Sequence, residues 1–105
     1  MAQPVQGNAK AHAATATVQS VSASSAAAQT ILAANPARLG GFLVNDSDKV
    51  VYVKYGTAAS TTSYTDKVAV GGKHNMADGP RCYTGVVTAI WDSGPTGAMR
   101  VTELS

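Results

Sequence analysis

The acidic side chains are the first residues of this sequence that could do chemistry, because paired carboxylates serve as general acids and bases. They are Asp46, Asp48, Asp66, Asp78, Asp92 and Glu103. Most lie in or beside stretches rich in Gly, Asn and Ser, where Asp bonds its own backbone and favours turns. Asp46 and Asp48 faintly resemble a calcium loop, which leaves a weak ion site as the alternative, but no Glu follows at the required spacing. We therefore predict that these carboxylates form turns and aid solubility.

A metal site or a nucleophile would have to come from His74, Asp78 and Cys82. These residues occur singly, without paired Cys or His spacing, and a fourth ligand is missing. Cys82 as a nucleophile would need a neighbouring base, and neither His12 nor His74 lies in a supporting motif. The sequence predicts an exposed loop histidine, a half-buried thiol, no metal, no cofactor and no enzymatic activity.

Trp91 and the tyrosines allow two interpretations. An exposed aromatic strip would suit stacking against sugars on a receptor-binding module. The same residues alternate along predicted strands at positions that face a core, which favours a core or a subunit interface.

Charge and composition exclude several classes of partner. Lys and Arg total 8 against 6 for Asp and Glu, and no basic run occurs, so we expect no nucleic-acid partner. No stretch approaches the roughly 18 apolar residues of a membrane span, and no signal-peptide pattern precedes residue 28. Cys82 is the single cysteine, which excludes an internal disulfide and suits synthesis in a reducing cytoplasm.

Short apolar runs separated by turn residues every 8 to 12 positions predict strands throughout. Within Val50–Tyr55 the alternation places Val51, Val53 and Tyr55 on one face. We expect an all-β fold: a single small antiparallel β-sandwich or barrel of seven to eight strands with an extended N-terminal arm. The predicted strands are Thr15–Val21, Gln29–Ala33, Leu39–Asn45, Val50–Tyr55, Tyr64–Val70, Lys73–Met76, Tyr83–Asp92 and Ala98–Leu104, with a turn at Asn45–Asp48.

The predicted organisation is a flexible or extended arm over residues 1–28, holding a weak first strand, followed by a β-sandwich or barrel domain over residues 29–105. A domain of this size buries little of its surface, and no disulfide framework stabilises it, so we expect a homo-oligomer, a dimer or a trimer. The candidate interface, with another subunit or with a larger assembly, comprises Pro4, Val5, Val18, Val21, Tyr52, Tyr55, Tyr64 and Trp91.

Three stretches of the chain resemble a recurrent small domain of tailed-bacteriophage structural proteins. They are residues 38–56 (RLGGFLVNDSDKVVYVKYG), 57–70 (TAASTTSYTDKVAV) and 83–104 (YTGVVTAIWDSGPTGAMRVTEL). The domain's pattern joins an Asn-[Asp/Ser]-Ser turn, a Tyr-Val-Lys strand, a Thr-Ser-Tyr-Thr stretch, a Tyr-Thr-Gly…Ile-Trp strand and a terminal Arg-Val-Thr-Glu-Leu. The stretch Lys73–Cys82 (KHNMADGPRC) departs from it, being longer and more polar than the expected link.

The resemblance implies a virion structural protein made in the host bacterial cytoplasm and located on the capsid surface. The expected function is capsid decoration, or cementing: binding the outer surface of the major capsid protein shell and stabilising the head. The alternative is a receptor- or glycan-binding domain of a phage head or tail fibre. A single such domain without a coiled coil or repeat favours decoration.

Overall fold

The chain folds into two four-stranded antiparallel sheets, as described by a computed structural model for residues 12–105. The first sheet, sheet A, has the strand order β1-β8-β3-β6, and the second, sheet B, the order β2-β7-β4-β5. The strands are β1 Ala16–Ser22, β2 Gln29–Leu32, β3 Gly40–Ser47, β4 Val51–Tyr55, β5 Asp66–Val68, β6 Lys73–Asn75, β7 Val87–Trp91 and β8 Gly97–Leu104. The predicted all-β fold is confirmed, and its two separate sheets make it a sandwich.

The core lies between the inner faces of the two sheets. In β4, Val51 and Val53 are fully buried and Tyr55 packs against the same cluster, which confirms the face predicted from the alternation. The core cluster is Ile31, Leu32, Leu43, Val51, Val53, Val68, Met76, Cys82, Val87, Ala89, Trp91, Met99 and Val101. Eleven of its residues come from six of the eight strands, and Met76 and Cys82 come from the segments after β6 and after the short helical turn.

The predicted turn at Asn45–Asp48 is wrong in its position. Strand β3 continues through Ser47, paired with β8 as far as Gly97. Asn45 is fully buried and its amide donates to the carbonyls of Lys49, Val68 and Ala69 at 2.8, 3.1 and 3.2 Å. The residue with the strongest local turn preference therefore lies inside a strand, because its side chain satisfies the carbonyls of neighbouring segments.

Two predicted strands are shorter than expected. Tyr64–Val70 contributes only Asp66–Val68, and Tyr83–Asp92 only Val87–Trp91. The carbonyls of Tyr83 and Gly85 both accept hydrogen bonds from the buried side chain of Arg38. These two carbonyls are therefore not used for strand pairing, and β7 begins only at Val87. Between them Lys73–Asn75 forms β6, and a short 3-10 helix covers Gly79–Arg81.

The predicted arm of residues 1–28 is corrected where the structure describes it. Residues 16–22 form β1, which pairs with β8 over seven consecutive positions, from Ala16 opposite Leu104 to Ser22 opposite Ala98. The sandwich therefore begins before Gln29, the predicted start of the domain. The remainder of the predicted arm, residues 1–11, lies outside the described residues.

Candidate functional site

The predicted interface residues do not form one surface. Pro4 and Val5 lie outside the described residues. Val18 points outward from sheet A and is 69% exposed, whereas Val21 faces inward and packs against the core. Tyr52 lies on the outer face of sheet B. Its ring meets that of Tyr64, which is 41% exposed, edge to face at 5.1 Å. Val18 and the two tyrosines thus lie on opposite outer faces of the sandwich.

Trp91 is unavailable to any partner, which corrects its assignment to the interface. It is 1% exposed at the centre of the core. Its indole N–H donates to the Ser47 hydroxyl at 3.1 Å, and that hydroxyl donates to Asn45 Oδ1 at 2.6 Å. The alternation along β7 was compatible with a core or an interface position for Trp91. The packing of sheet A against sheet B buries it in the core.

Tyr55, His74 and Asp66 form a hydrogen-bonded chain that the sequence did not predict. His74 Nδ1 lies 2.7 Å from Asp66 Oδ2, and His74 Nε2 lies 2.6 Å from the Tyr55 hydroxyl. Tyr55 lies in β4, His74 in β6 and Asp66 in β5. Each faces inward: Tyr55 packs against the core, His74 lies opposite Leu43, and Asp66 opposite Val53. The chain therefore joins the edges of the two sheets.

The order carboxylate, imidazole, hydroxyl is the order of a catalytic triad, so its chemistry has to be weighed. With Nδ1–H donating to Asp66, Nε2 accepts the Tyr55 proton. Burial raises the pKa of Tyr55, with Cys82 and Asp66 adding to the effect, so the hydroxyl is a poorer source of a nucleophilic oxygen than free tyrosine. The Tyr83 ring stacks on Tyr55 at 4.9 Å and 4° between planes. The arrangement is better suited to holding the two sheets together than to attacking a substrate.

Arg38 forms a second polar centre that sequence reasoning missed. Its side chain is fully buried, and its Nε donates to Glu103 Oε2 at 2.8 Å. Its terminal nitrogens donate to the carbonyls of Tyr83, Gly85 and Ala33 at 2.8, 2.9 and 2.6 Å. The guanidinium thus joins sheet A to the segments before β7 and after β2. An isolated arginine in a loop gives no sequence signal for such burial.

The backbone around Arg38 places it there. Asn35 accepts the Ala37 N–H at its side-chain oxygen, 3.0 Å away, and the Arg38 N–H at its carbonyl, also 3.0 Å away. This turn, which begins at Asn35-Pro36, brings the chain from β2 in sheet B to β3 in sheet A. The arginine therefore crosses between sheets at the point where the chain does.

Two grooves lie near the first strand. One, of about 320 Å³, opens between β1 and the end of β2 and is lined by Thr17, Gln19, Leu32, Ala33, Ala34, Asn35 and Glu103. The other, of about 230 Å³, is lined by His12, Ala13, Leu39, Asp78 and Leu104. Neither contains the Tyr55–His74–Asp66 chain.

The remaining acidic residues and the thiol have partners or lie apart. Asp46 pairs with Arg100 at 3.1 Å, and Asp48 accepts the Thr96 N–H at 2.7 Å, a bond that holds the pKa of Asp48 below its usual range. Cys82 is buried, with its sulfur 3.6 Å from the Tyr83 carbonyl, and burial raises its pKa. Within residues 12–105, no group of three His, Cys, Asp or Glu side chains could hold a metal ion.

The two facing sheets and their shared core define this chain as an all-β sandwich domain. In the described part of the chain, no helix has the length and apolar character needed to cross a membrane. No protein-family model, curated protein or solved structure matches the chain.

Proposed function

We propose that this protein is a virion structural protein that decorates the capsid of a tailed bacteriophage, binding the major capsid protein on the outer surface of the shell. The proposal starts from the resemblance of residues 38–56, 57–70 and 83–104 to a small domain of phage structural proteins. In this proposal the protein binds other protein chains and does not act as an enzyme.

The observation that carries the proposal is where the matching residues lie. Asn45, Ser47 and Trp91 belong to the resembling stretches, and they form one buried chain of hydrogen bonds. Arg38 and Glu103 belong to them as well, and form the buried ion pair. The resemblance thus includes residues that build the interior of the sandwich as well as exposed residues such as Tyr64, and the interior matches support a likeness of fold.

The exterior supplies the surface that decoration needs. Tyr64 is exposed beside Tyr52 on the outer face of sheet B, and a partly buried aromatic pair of this kind is a typical anchor for a protein partner. Many copies bound to a closed shell would add their stabilising effects, so that a low affinity at each binding site would be sufficient. We infer that this face meets the capsid.

The fibre alternative receives less support. Sugar binding by stacking calls for exposed, coplanar aromatic rings. The Tyr52 and Tyr64 planes cross at 62°, and the coplanar rings of Tyr55 and Tyr83 cover each other. A glycan-binding screen with several strong hits would reverse this preference.

Copy number tests the proposal directly. Quantitative mass spectrometry of purified virions should find hundreds of copies per particle, whereas a handful would place the protein in a tail or fibre and refute decoration. Occupancy of expanded heads by the Tyr64→Ala variant should fall relative to wild type, with Val70→Ala as the control, since Val70 is 55% exposed and outside the aromatic pair.

We also propose that the N-terminal arm extends over a neighbouring subunit. The deletion that tests this role has to be shorter than residues 1–28, because removal of that whole range would delete β1. A variant lacking residues 2–11 keeps the whole of β1. If the arm extends over a neighbouring subunit, head occupancy falls in this variant. Undiminished occupancy removes the arm from the mechanism.

A further inference from the structure

The four edge strands of the sandwich differ in how well they are protected against pairing with another chain. β5 and β6 have three residues each, and Lys67 and Lys73 lie on them. β2 has four residues and an irregular register between Thr30 and Leu32. Short length, lysine and irregular register are the devices by which sheet proteins block edge-to-edge association.

β1 has none of these devices. It spans seven residues, Ala16–Ser22 (ATVQSVS), with no charged residue, no proline and no glycine, and its pairing with β8 is regular along its whole length. A long, regular, uncharged edge is a template for a further strand.

The backbone groups available on this edge follow from the register. Thr15 and Ser105 exchange both N–H···O bonds, at 2.9 Å each, so alternate residues from Thr15 onward bond to β8. The intervening residues of β1 turn their N–H and C=O groups toward the free edge: Ala16, Val18, Ser20 and Ser22. The edge therefore presents four donors and four acceptors, in alternation.

We propose that β1 pairs antiparallel with β1 of a second copy of this chain, joining two A sheets into one continuous eight-stranded sheet across a two-fold axis. With Val18 opposite Ser20 of the second copy and Ala16 opposite its Ser22, all four residues of each strand form hydrogen-bonded pairs. That register makes eight backbone bonds, and a shift by two residues in either direction makes six. The two-fold axis then passes between Gln19 and Gln19 of the second copy.

The charge distribution around β1 permits this approach. β1 itself is uncharged, and its outward neighbour Arg100 is already held by Asp46 at 3.1 Å and Ser20 at 2.6 Å. Among the described residues no like charges face each other across the axis, and like charges directly opposite each other would oppose the pairing. The second strand also packs beside Val18, the most exposed large apolar side chain of the described residues.

The groove beside β1 fits the same partner. It opens on the inner side of β1 and is lined by Thr17 and Gln19, both of which face inward. A second β1 extends sheet A over this opening, so that inward-facing side chains of each copy close the groove of the other. This pairing does not depend on capsid binding and would hold for the protein in solution.

Sedimentation velocity of the full chain over a wide concentration range tests the pairing. We expect a dimer in the wild type. In the Val18→Lys variant, two lysines near the axis should raise the dimer dissociation constant by about tenfold or more. Val70→Lys adds the same charge to an exposed valine away from β1 and should leave the constant unchanged. Far-UV circular dichroism verifies that each variant is folded.

Disulfide trapping tests the register. On a Cys82→Ala background, Gln19→Cys places two thiols on a non-hydrogen-bonded pair with Cα atoms about 4.5 Å apart, within disulfide reach. Thr17→Cys is the matched control. In the proposed register Thr17 lies opposite Val21 of the second copy, so the Thr17 of that copy is four residues, about 13 Å, farther along the strand. The first variant should form a covalent dimer under mild oxidation and the second should not. A wild type that stays monomeric, a dimer that Val18→Lys leaves intact, or equal cross-linking of the two cysteine variants would each overturn the proposal.

Discussion

Replacement of Arg38 by alanine should be the most damaging single change to a polar side chain in this protein. The guanidinium is fully buried and is the shared partner of the Glu103 carboxylate and of three backbone carbonyls. Its removal leaves a carboxylate that is only 20% exposed without its counter-charge and leaves the carbonyls without a donor.

The expected cost follows from these contacts. A hydrogen bond to a charged group contributes about 1.5–3 kcal/mol, but four such bonds do not add, because water enters part of the vacated space. Loss of one partner of a buried ion pair costs about 3–5 kcal/mol, and we expect Arg38→Ala to lower the free energy of unfolding by that amount. Since the free energy of unfolding of a small domain is about 5–15 kcal/mol, the variant should be near the limit of folding.

Arg38→Lys should recover only part of the loss. A lysine keeps the charge, but its single ammonium group lacks the planar fork that reaches Glu103 and the carbonyls on several sides at once. Urea unfolding monitored by Trp91 fluorescence measures both variants, because Trp91 lies in the core.

The control is Arg100→Ala, which removes an arginine from an exposed ion pair with Asp46. Such pairs contribute about 0–1 kcal/mol, so this variant should unfold close to the wild-type midpoint. If Arg38→Ala is no less stable than Arg100→Ala, the buried network does not hold the sheets together and the reasoning fails.

Three further predictions concern the interior. Asn45→Ala should lose about 2–4 kcal/mol in urea unfolding, because three carbonyls lose their donor in a fully buried site; a loss below 1 kcal/mol would contradict this. Trp91→Phe should lose about 1–3 kcal/mol by leaving a cavity and removing the indole donor to the Ser47 hydroxyl, and a thermal midpoint equal to that of wild type would refute it. Burial raises the pKa values of Cys82 and Tyr55 above their ordinary 9.0 and 10.0, so the folded state binds these protons more tightly than the unfolded chain. Their contribution to stability is complete below pH 9 and is lost as the pH rises through the folded-state values. The thermal midpoint should therefore fall in alkaline solution, and less steeply in Tyr55→Phe.

The strands and their inner faces could be predicted from the sequence because they depend on local alternation. Val51, Val53 and Tyr55 share a face for the simple reason that side chains of a strand alternate, whatever its neighbours are. The same rule places Trp91 on a face with Val87 and Ala89, all three of which are buried. It could not distinguish a core from an interface, since both bury the same side chains.

The polar centres could not be predicted, since each joins residues far apart in sequence. Arg38 and Glu103 are 65 positions apart, and His74 reaches Tyr55 across 19. Asn45 was wrongly predicted to begin a turn. Its local preference for a turn is outweighed by hydrogen bonds to three carbonyls, which lie near Asn45 only in the folded sandwich. The stretch Lys73–Cys82, where the resemblance failed, supplies β6 and with it His74.

The sequence by itself determined the class of fold, the approximate strands and the apolar faces, because hydrophobic period and turn residues act locally. Only the tertiary structure decided which strands became edges and which polar side chains became internal partners. β1 shows the difference most clearly: its composition, ATVQSVS, marks a weak strand in any context. Its place beyond β8 leaves one backbone edge without a partner among residues 12–105, and hydrogen-bonding groups on such an edge are free to pair with another chain.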